Sequence, residues 1–156
     1  YGEMTPWSYL SFVANARGLG GSKGRAALMR AAQRVGLGAT IYQPIDTLSK
    51  GYKRRTALAA AILHEPPILL LDEPTDGLDP NQNVAIRALI RELAHDKAIL
   101  ISTHNLEDVE TMCRRAVVID DGQVVANGAP AELAARTPSK KLVDFFRAVT
   151  RHDNAA

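Results

Sequence analysis

A short aliphatic run that ends in two acids constrains the fold of this 156-residue chain more than any other stretch. The run, Ile68 to Leu71, is too short for a helix core, and it predicts a strand buried on both faces, as strands are inside a parallel sheet. Asp72 and Glu73 follow it directly. Because ligands of open α/β sheets bind beyond the carboxyl ends of the strands, both carboxylates stand where chemistry is expected.

The two adjacent carboxylates suit two different roles. Neighbouring residues at a strand end point to different sides, so Asp72 can hold a metal ion while Glu73 faces a water molecule. Hydrolysis of a nucleoside triphosphate needs both, an acid on Mg²⁺ and a group that orients the attacking water. Acids at strand ends are common, so the run by itself also fits two ordinary surface residues.

A second strand and a histidine extend this pattern. An apolar stripe over 86–93 predicts a helix, and Ala98–Ser102 predicts a strand, so the two strands belong to a βαβ unit with parallel strands. That topology places His104 at the carboxyl end of the strand beside Asp72. An imidazole there can hydrogen-bond a γ-phosphate oxygen or the attacking water. The alternative is a structural or surface histidine.

Phosphate binding is also predicted at the start of a helix. Ser49 and Gly51 precede an Ala- and Leu-rich helix predicted over 56–63. A helix N-terminus has unpaired N–H groups and a partial positive charge, Ser49 adds a hydroxyl donor, and Gly51 lets a ligand approach the backbone. An ordinary capped helix fits the same residues. Further on, Asp79 and Pro80 predict the N-cap and first position of the next helix.

Composition limits the remaining choices. No apolar run approaches the ~18 residues of a membrane span. The single cysteine, Cys113, excludes an intramolecular disulfide framework. Residues 1–64 carry nine Lys or Arg against two acids, and the remainder carries ten against fifteen. The basic front half can meet phosphates, a nucleic acid or an anionic membrane surface, or it can form a solvated helical face.

In their order and spacing, these motifs resemble the ATPase domains of ABC transporters. The matching segments are the signature motif, the Walker B strand with its glutamate, the D-loop and the switch histidine: Leu48–Tyr52, Ile68–Pro74, Gly77–Asp79 and His104. Lys50 and Tyr52 stand where the family has glycine and glutamine, a variant that resembles exporters of the ABC-2 and gliding-motility type. In this resemblance the lysine adds a cation near the γ-phosphate.

The resemblance implies an α/β fold, a partial P-loop NTPase core with parallel strands and an N-terminal helical subdomain. It assigns the helical subdomain to 1–47, the C-terminal part of the ATPase core to 48–127, and a C-terminal helical segment to 128–156. No phosphate-binding Gly-x-x-x-x-Gly-Lys-Ser/Thr loop occurs in these residues. We therefore expect a truncated domain that alone binds ATP weakly, hydrolyses little or none, and self-associates or has modest stability.

The implied function is that of the cytoplasmic ATPase subunit of a transporter, bound to a transmembrane permease at the cytoplasmic face of the membrane. Its cofactors would be ATP and Mg²⁺, with ATP held between this domain and a second ATPase domain. No nucleic-acid partner is expected. Two alternatives stay open: a non-transport ATPase of the same family, acting in DNA repair or translation, and a nucleotide-independent binding module. The roles implied by the resemblance are Mg²⁺ binding by Asp72, water activation by Glu73, γ-phosphate contacts by His104, Ser49, Lys50 and Gly51, and a dimer-interface position for Asp79.

Overall fold

The computed structural model describes residues 1–150, which form seven α-helices and four strands. In chain order the elements are α1 Pro6–Ala16, α2 Gly21–Arg34, two 3₁₀ turns at Gly38–Tyr42 and Ile45–Thr47, α3 Lys50–Ile62, β1 Ile68–Asp72, α4 Pro80–Leu93, β2 Ala98–Ser102, α5 Leu106–Met112, β3 Ala116–Asp120, β4 Gln123–Gly128, α6 Pro130–Ala134 and α7 Leu142–Val149. Residues 1–102 pack as one compact unit, and a second unit begins at Thr103. Over residues 1–150, no helix combines the length and the apolar character that crossing a membrane requires.

The first unit begins with two helices, α1 and α2. Thr5 caps α1 by accepting a hydrogen bond from the Ser8 N–H, and Pro6 occupies the first helical position. Leu10 of α1 and Leu28 of α2 are both buried. Gly24 is required where the helices meet, because an added Cβ would lie 2.1 Å from the backbone oxygen of Leu19.

The central feature of the first unit is a parallel pair of strands. β1 and β2 run in register from the pair Ile68 and Ala98 to the pair Asp72 and Ser102, with α4 between them in the chain. The predicted strand–helix–strand unit is therefore confirmed. The parallel register puts the carboxyl ends of both strands at the same edge of the sheet.

Burial of β1 differs from the prediction, which was wrong for one of its two faces. Leu69 and Leu71 are buried, and Leu71 shares a groove with Leu58 of α3 and Ile86 of α4. On the opposite face, Leu70 is 73% exposed and its register partner Leu100 is 67% exposed. Parallel sheets are normally covered by helices on both faces. In the described part of the chain, helices cover the face that carries Leu69 and Leu71, and the face that carries Leu70 and Leu100 is exposed.

The second unit contains an antiparallel hairpin and three helices. β3 and β4 are joined by Asp121 and Gly122, which have φ values of 46° and 73°, as expected of a two-residue turn whose central residues both have positive φ. An Asp-Gly pair is typical of such a turn. A small apolar core joins the hairpin to α6 and α7 through Ala126, Leu133, Leu142 and Phe145.

The domain boundaries predicted after residues 47 and 127 stay a prediction. The two compact units are separated after residue 102 on packing alone, and packing does not test which function each predicted domain has. The end of the predicted C-terminal helical segment, residues 151–156, lies outside the described residues.

Candidate functional site

Asp72 is held at the last register pair of the parallel strands. The Ser102 hydroxyl of β2 donates a hydrogen bond to the Asp72 carboxylate of β1. Asp72 is nevertheless exposed to solvent. The bond orients the carboxylate without covering it, so a ligand beyond the strand ends can reach it.

Glu73 leaves the strand through a left-handed backbone conformation. Its φ is 44°, a region that costs a non-glycine residue roughly 1–2 kcal/mol. Its N–H donates a hydrogen bond of 2.9 Å to the Ser102 carbonyl, so the turn is pinned to the end of β2. The backbone of Glu73 is therefore fixed by both β1 and β2, and its side chain is half-buried.

The loop after Glu73 is short and hydrogen-bonded along its length. The Asp76 N–H donates to the Glu73 carbonyl at 3.2 Å, and the Leu78 N–H donates to the Thr75 carbonyl at 3.3 Å. Asp79 then accepts the Gln82 N–H at 2.9 Å and caps α4, as predicted from Asp79 and Pro80. We call residues Asp76–Asp79 the interstrand loop.

The helix that carries Ser49 and Gly51 starts earlier than the sequence suggests. α3 begins at Lys50, six residues before the predicted start at residue 56, and Ser49 is its N-cap. The Ser49 hydroxyl accepts the Tyr52 N–H at 3.4 Å. That acceptor role leaves the hydroxyl hydrogen of Ser49 available to donate to a phosphate oxygen.

Three residues in the first turns of α3 contact the interstrand loop or α4 of the same chain. The Lys50 ammonium lies 2.9 Å from the Asp76 carboxylate, and the Arg54 guanidinium lies 3.7 Å from the same oxygen. Gly51 is buried, and a Cβ added there would lie 1.9 Å from the side-chain oxygen of Gln82. A side chain at position 51 would therefore have to displace the end of the Gln82 side chain.

Sequence reasoning missed Asp76 and Gln82 as neighbours of the start of α3. The positions of Lys50 and Asp76 are 26 residues apart, and no periodic pattern or turn signal links them. The excess of cations in residues 50–55 was the sequence signal that could have indicated an acidic neighbour, because like charges close together on a helix destabilise it unless an acid lies nearby.

His104 lies two residues after β2, at the beginning of the second unit. It is exposed and precedes Asn105, which caps α5 by accepting the Glu107 N–H at 3.0 Å. The predicted convergence of His104 with Asp72 and Glu73 stays a prediction.

The oxygen ligands at the end of β1 fit Mg²⁺ in the company of phosphates. Mg²⁺ prefers hard oxygen ligands and is commonly bound by one or two carboxylates together with phosphate oxygens and waters. Asp72, oriented by a hydroxyl, provides one such carboxylate. Within residues 1–150, no group of three or more His, Cys, Asp or Glu side chains forms a metal cage.

Comparison with known proteins identifies the proteins that this chain resembles. Residues 34–108 match the family model described as "AAA domain, putative AbiEii toxin, Type IV TA system". The chain is 41% identical over 103 residues to Nod factor export ATP-binding protein I of Paraburkholderia xenovorans, an alignment that covers 65% of this chain and 34% of that protein. It is 32% identical over 147 residues to the ABC transporter ATP-binding protein NatA of Bacillus subtilis, covering 94% of this chain and 60% of NatA.

A solved structure shows the same fold over nearly the whole chain. The structure titled "Structure of ATP binding subunit of ABC transporter" superposes with a TM-score of 0.82 and 28% sequence identity, over 97% of this chain and 64% of that one. The chain thus spans between about a third and two thirds of the length of these three proteins.

Proposed function

Since the chain belongs to the ABC transporter ATP-binding proteins, we propose that it provides the ATP-hydrolysing machinery of a transporter subunit. The observation that carries the proposal is the paired end of the parallel strands. There Asp72 is oriented by Ser102 and Glu73 follows in a turn pinned to the same residue. This is the edge at which α/β folds bind their ligands.

Each residue at this edge has a specific task in the proposal. Asp72 would hold Mg²⁺, which when bound neutralises charge on the phosphate oxygens. Glu73 would accept a proton from the attacking water, because a carboxylate beside the metal ligand can act as a general base. His104 would donate a hydrogen bond to the γ-phosphate from the end of the neighbouring strand.

The start of α3 would serve a nucleotide held by a second ATPase domain. Ser49 has a hydroxyl hydrogen free to donate, and the N–H groups of the first helical turn favour an anion. Asp79 would line the interface between the two domains while it caps α4. In this arrangement each ATP site is built from residues of both domains.

Coupling to transport requires a membrane partner. We propose a transmembrane permease subunit that is contacted at the cytoplasmic face of the membrane. The relatives whose printed names specify an ATP-binding protein of an ABC transporter or of Nod factor export support this assignment. The cargo is left open in the proposal.

The test is Glu73→Gln in the natural polypeptide that contains these 156 residues, assayed with its permease. We expect ATP hydrolysis to fall by about 100-fold or more, since a general base contributes about 10²–10⁴-fold, while ATP binding measured by calorimetry is kept. Glu110→Gln is the matched control, because Glu110 is an exposed glutamate of α5. Near-normal turnover in Glu73→Gln would remove Glu73 from the role of base. Failure of the unaltered protein to bind ATP would favour the nucleotide-independent binding module.

A further inference from the structure

The first turn of α3 holds a cation where a helix disfavours one. Lys50 is the first helical residue, and the first turn contains no acid. Lys53, Arg54 and Arg55 follow within five residues. The N-terminus of a helix carries a partial positive charge, so these cations are destabilising there unless a nearby anion compensates for them.

Asp76 of the interstrand loop is that anion. Its carboxylate accepts a hydrogen bond of 2.9 Å from the Lys50 ammonium and lies 3.7 Å from the Arg54 guanidinium. The Lys50 and Asp76 side chains are 59% and 43% exposed, so the ion pair is screened by water and is individually weak. A weak contact of this kind can bias the position of a loop but contributes little to the stability of the fold.

The lysine stem is also packed against the loop backbone. Gly77 has a φ of 68°, and a Cβ added there would lie 2.1 Å from the Lys50 ammonium nitrogen, with two carbons of the lysine stem at 2.5 and 2.6 Å. The side chain therefore lies across the space that any other residue at position 77 would fill. Next to it, Gly51 admits the side chain of Gln82 at equally short range. Charge and shape thus both join the start of α3 to the loop.

We propose that Lys50 is a positioning residue for the interstrand loop and acts through Asp76 instead of contacting the nucleotide. It keeps a constant spacing between Ser49, at the start of α3, and Asp79, at the end of the loop. The consequence for turnover rests on the proposed function, in which these two residues face the same second ATPase domain. This role differs from the direct γ-phosphate contact that the family resemblance implies for Lys50.

The first experiment measures the loop itself and needs no activity. Amide hydrogen exchange, followed by NMR on the full chain without nucleotide, is compared for Lys50→Met, Lys50→Arg, Asp76→Asn and Lys53→Met. The Leu78 and Gln82 amides report on the loop because their hydrogen bonds lie within it and at its end. Lys53→Met is the matched control, since it removes the same charge from the same helix, and Lys53 bonds the Asp46 carbonyl instead of the loop.

The expected result is exchange up to about five-fold faster at Leu78 and Gln82 in Lys50→Met and in Asp76→Asn. Lys50→Arg should return the rates to within about two-fold of the unaltered chain, because an arginine can keep the ion pair. Equal rates in Lys50→Met and the unaltered chain would overturn the proposal. So would equal acceleration by Lys53→Met, because the effect would then be one of general charge.

The second experiment separates positioning from nucleotide contact by steady-state ATP hydrolysis, measured on the natural polypeptide that contains these 156 residues together with its permease. If Lys50 acts through Asp76, Lys50→Met and Asp76→Asn each lower kcat by about ten-fold, the double variant is no slower than either, and KM for ATP stays within about two-fold. A rise in KM confined to Lys50→Met would show direct contact and overturn the proposal. If the unaltered protein hydrolyses no ATP, the proposed function fails, and hydrogen exchange alone still decides whether Lys50 positions the loop.

Discussion

The Ser102 hydroxyl donates a hydrogen bond to the Asp72 carboxylate across the last register pair of β1 and β2. The end of one strand therefore orients the acid at the end of its neighbour. Because the Glu73 N–H donates to the carbonyl of the same serine, Ser102 organises both acids of the candidate site. Four predictions follow from this edge of the sheet and from the elements packed around it.

Ser102→Ala should lower the free energy of unfolding by about 0.5–1.5 kcal/mol, the usual net contribution of one hydrogen bond. The measurement is a urea titration followed by circular dichroism, with Ser22→Ala as control. Ser22 is an exposed serine in the first turn of α2, a helix that has no side-chain cap. An unchanged urea midpoint for Ser102→Ala would mean that the hydroxyl bond to Asp72 is not kept in solution.

Leu69→Ala and Leu70→Ala compare the two faces of β1 with the same chemical change at adjacent positions. Leu69 is 3% exposed, and its truncation should cost about 2–5 kcal/mol of unfolding free energy. Leu70 is 73% exposed, so its truncation should cost less than about 0.5 kcal/mol. A large cost at Leu70, read from the same denaturation curves, would show that another surface covers this face in solution.

Asp79→Ala should remove the cap of α4 and cost about 1 kcal/mol, whereas Asp79→Asn should keep most of the cap because asparagine is an equally good N-cap residue. Thermal unfolding measures both. The asparagine variant also isolates the charge of Asp79, so any loss of ATP hydrolysis in it reports on the interface role and not on the helix. Equal instability of the two variants would contradict the capping assignment.

His64 should make the fold less stable in mild acid. Burial lowers the pKa of His64 below its ordinary value of 6.5, and the positive charges of Arg17 and Lys97 lower it further. Its Nδ1 is buried without a hydrogen-bond partner among residues 1–150. As the pH falls below about 6.5, the unfolded chain binds a proton that the folded chain does not, so stability is lost until the pH reaches the lower folded pKa.

The measurement is the urea midpoint of the unaltered chain and of His64→Gln between pH 8 and pH 5.5. The variant should lose less stability over this range. His95→Gln is the control, since His95 is exposed. Parallel curves for His64→Gln and the unaltered chain would exclude His64 as the source of the acid sensitivity.

Local signals account for much of the framework. Pro6 and Pro80 follow capping residues at helix starts, and the Asp-Gly pair at 121–122 specifies a hairpin turn, because each device acts within a few neighbouring residues. The strands at 68–72 and 98–102 also follow from their composition, and the helix between them makes their pairing parallel. The start of α3 was predicted too late, since a glycine and a run of cations obscured a helix that is anchored by the Ser49 cap.

Sequence alone thus determined the strand–helix–strand unit of β1, α4 and β2 and which strand end carries the paired acids, since those features depend on local periodicity and turn chemistry. Only the tertiary structure decided that Leu70 faces solvent, that Ser102 holds Asp72, and that Lys50 pairs with Asp76. The two hydrogen bonds join residues that are 26 and 30 positions apart in the chain. The packing of whole helices and strands decides which of their residues come into contact and which face solvent.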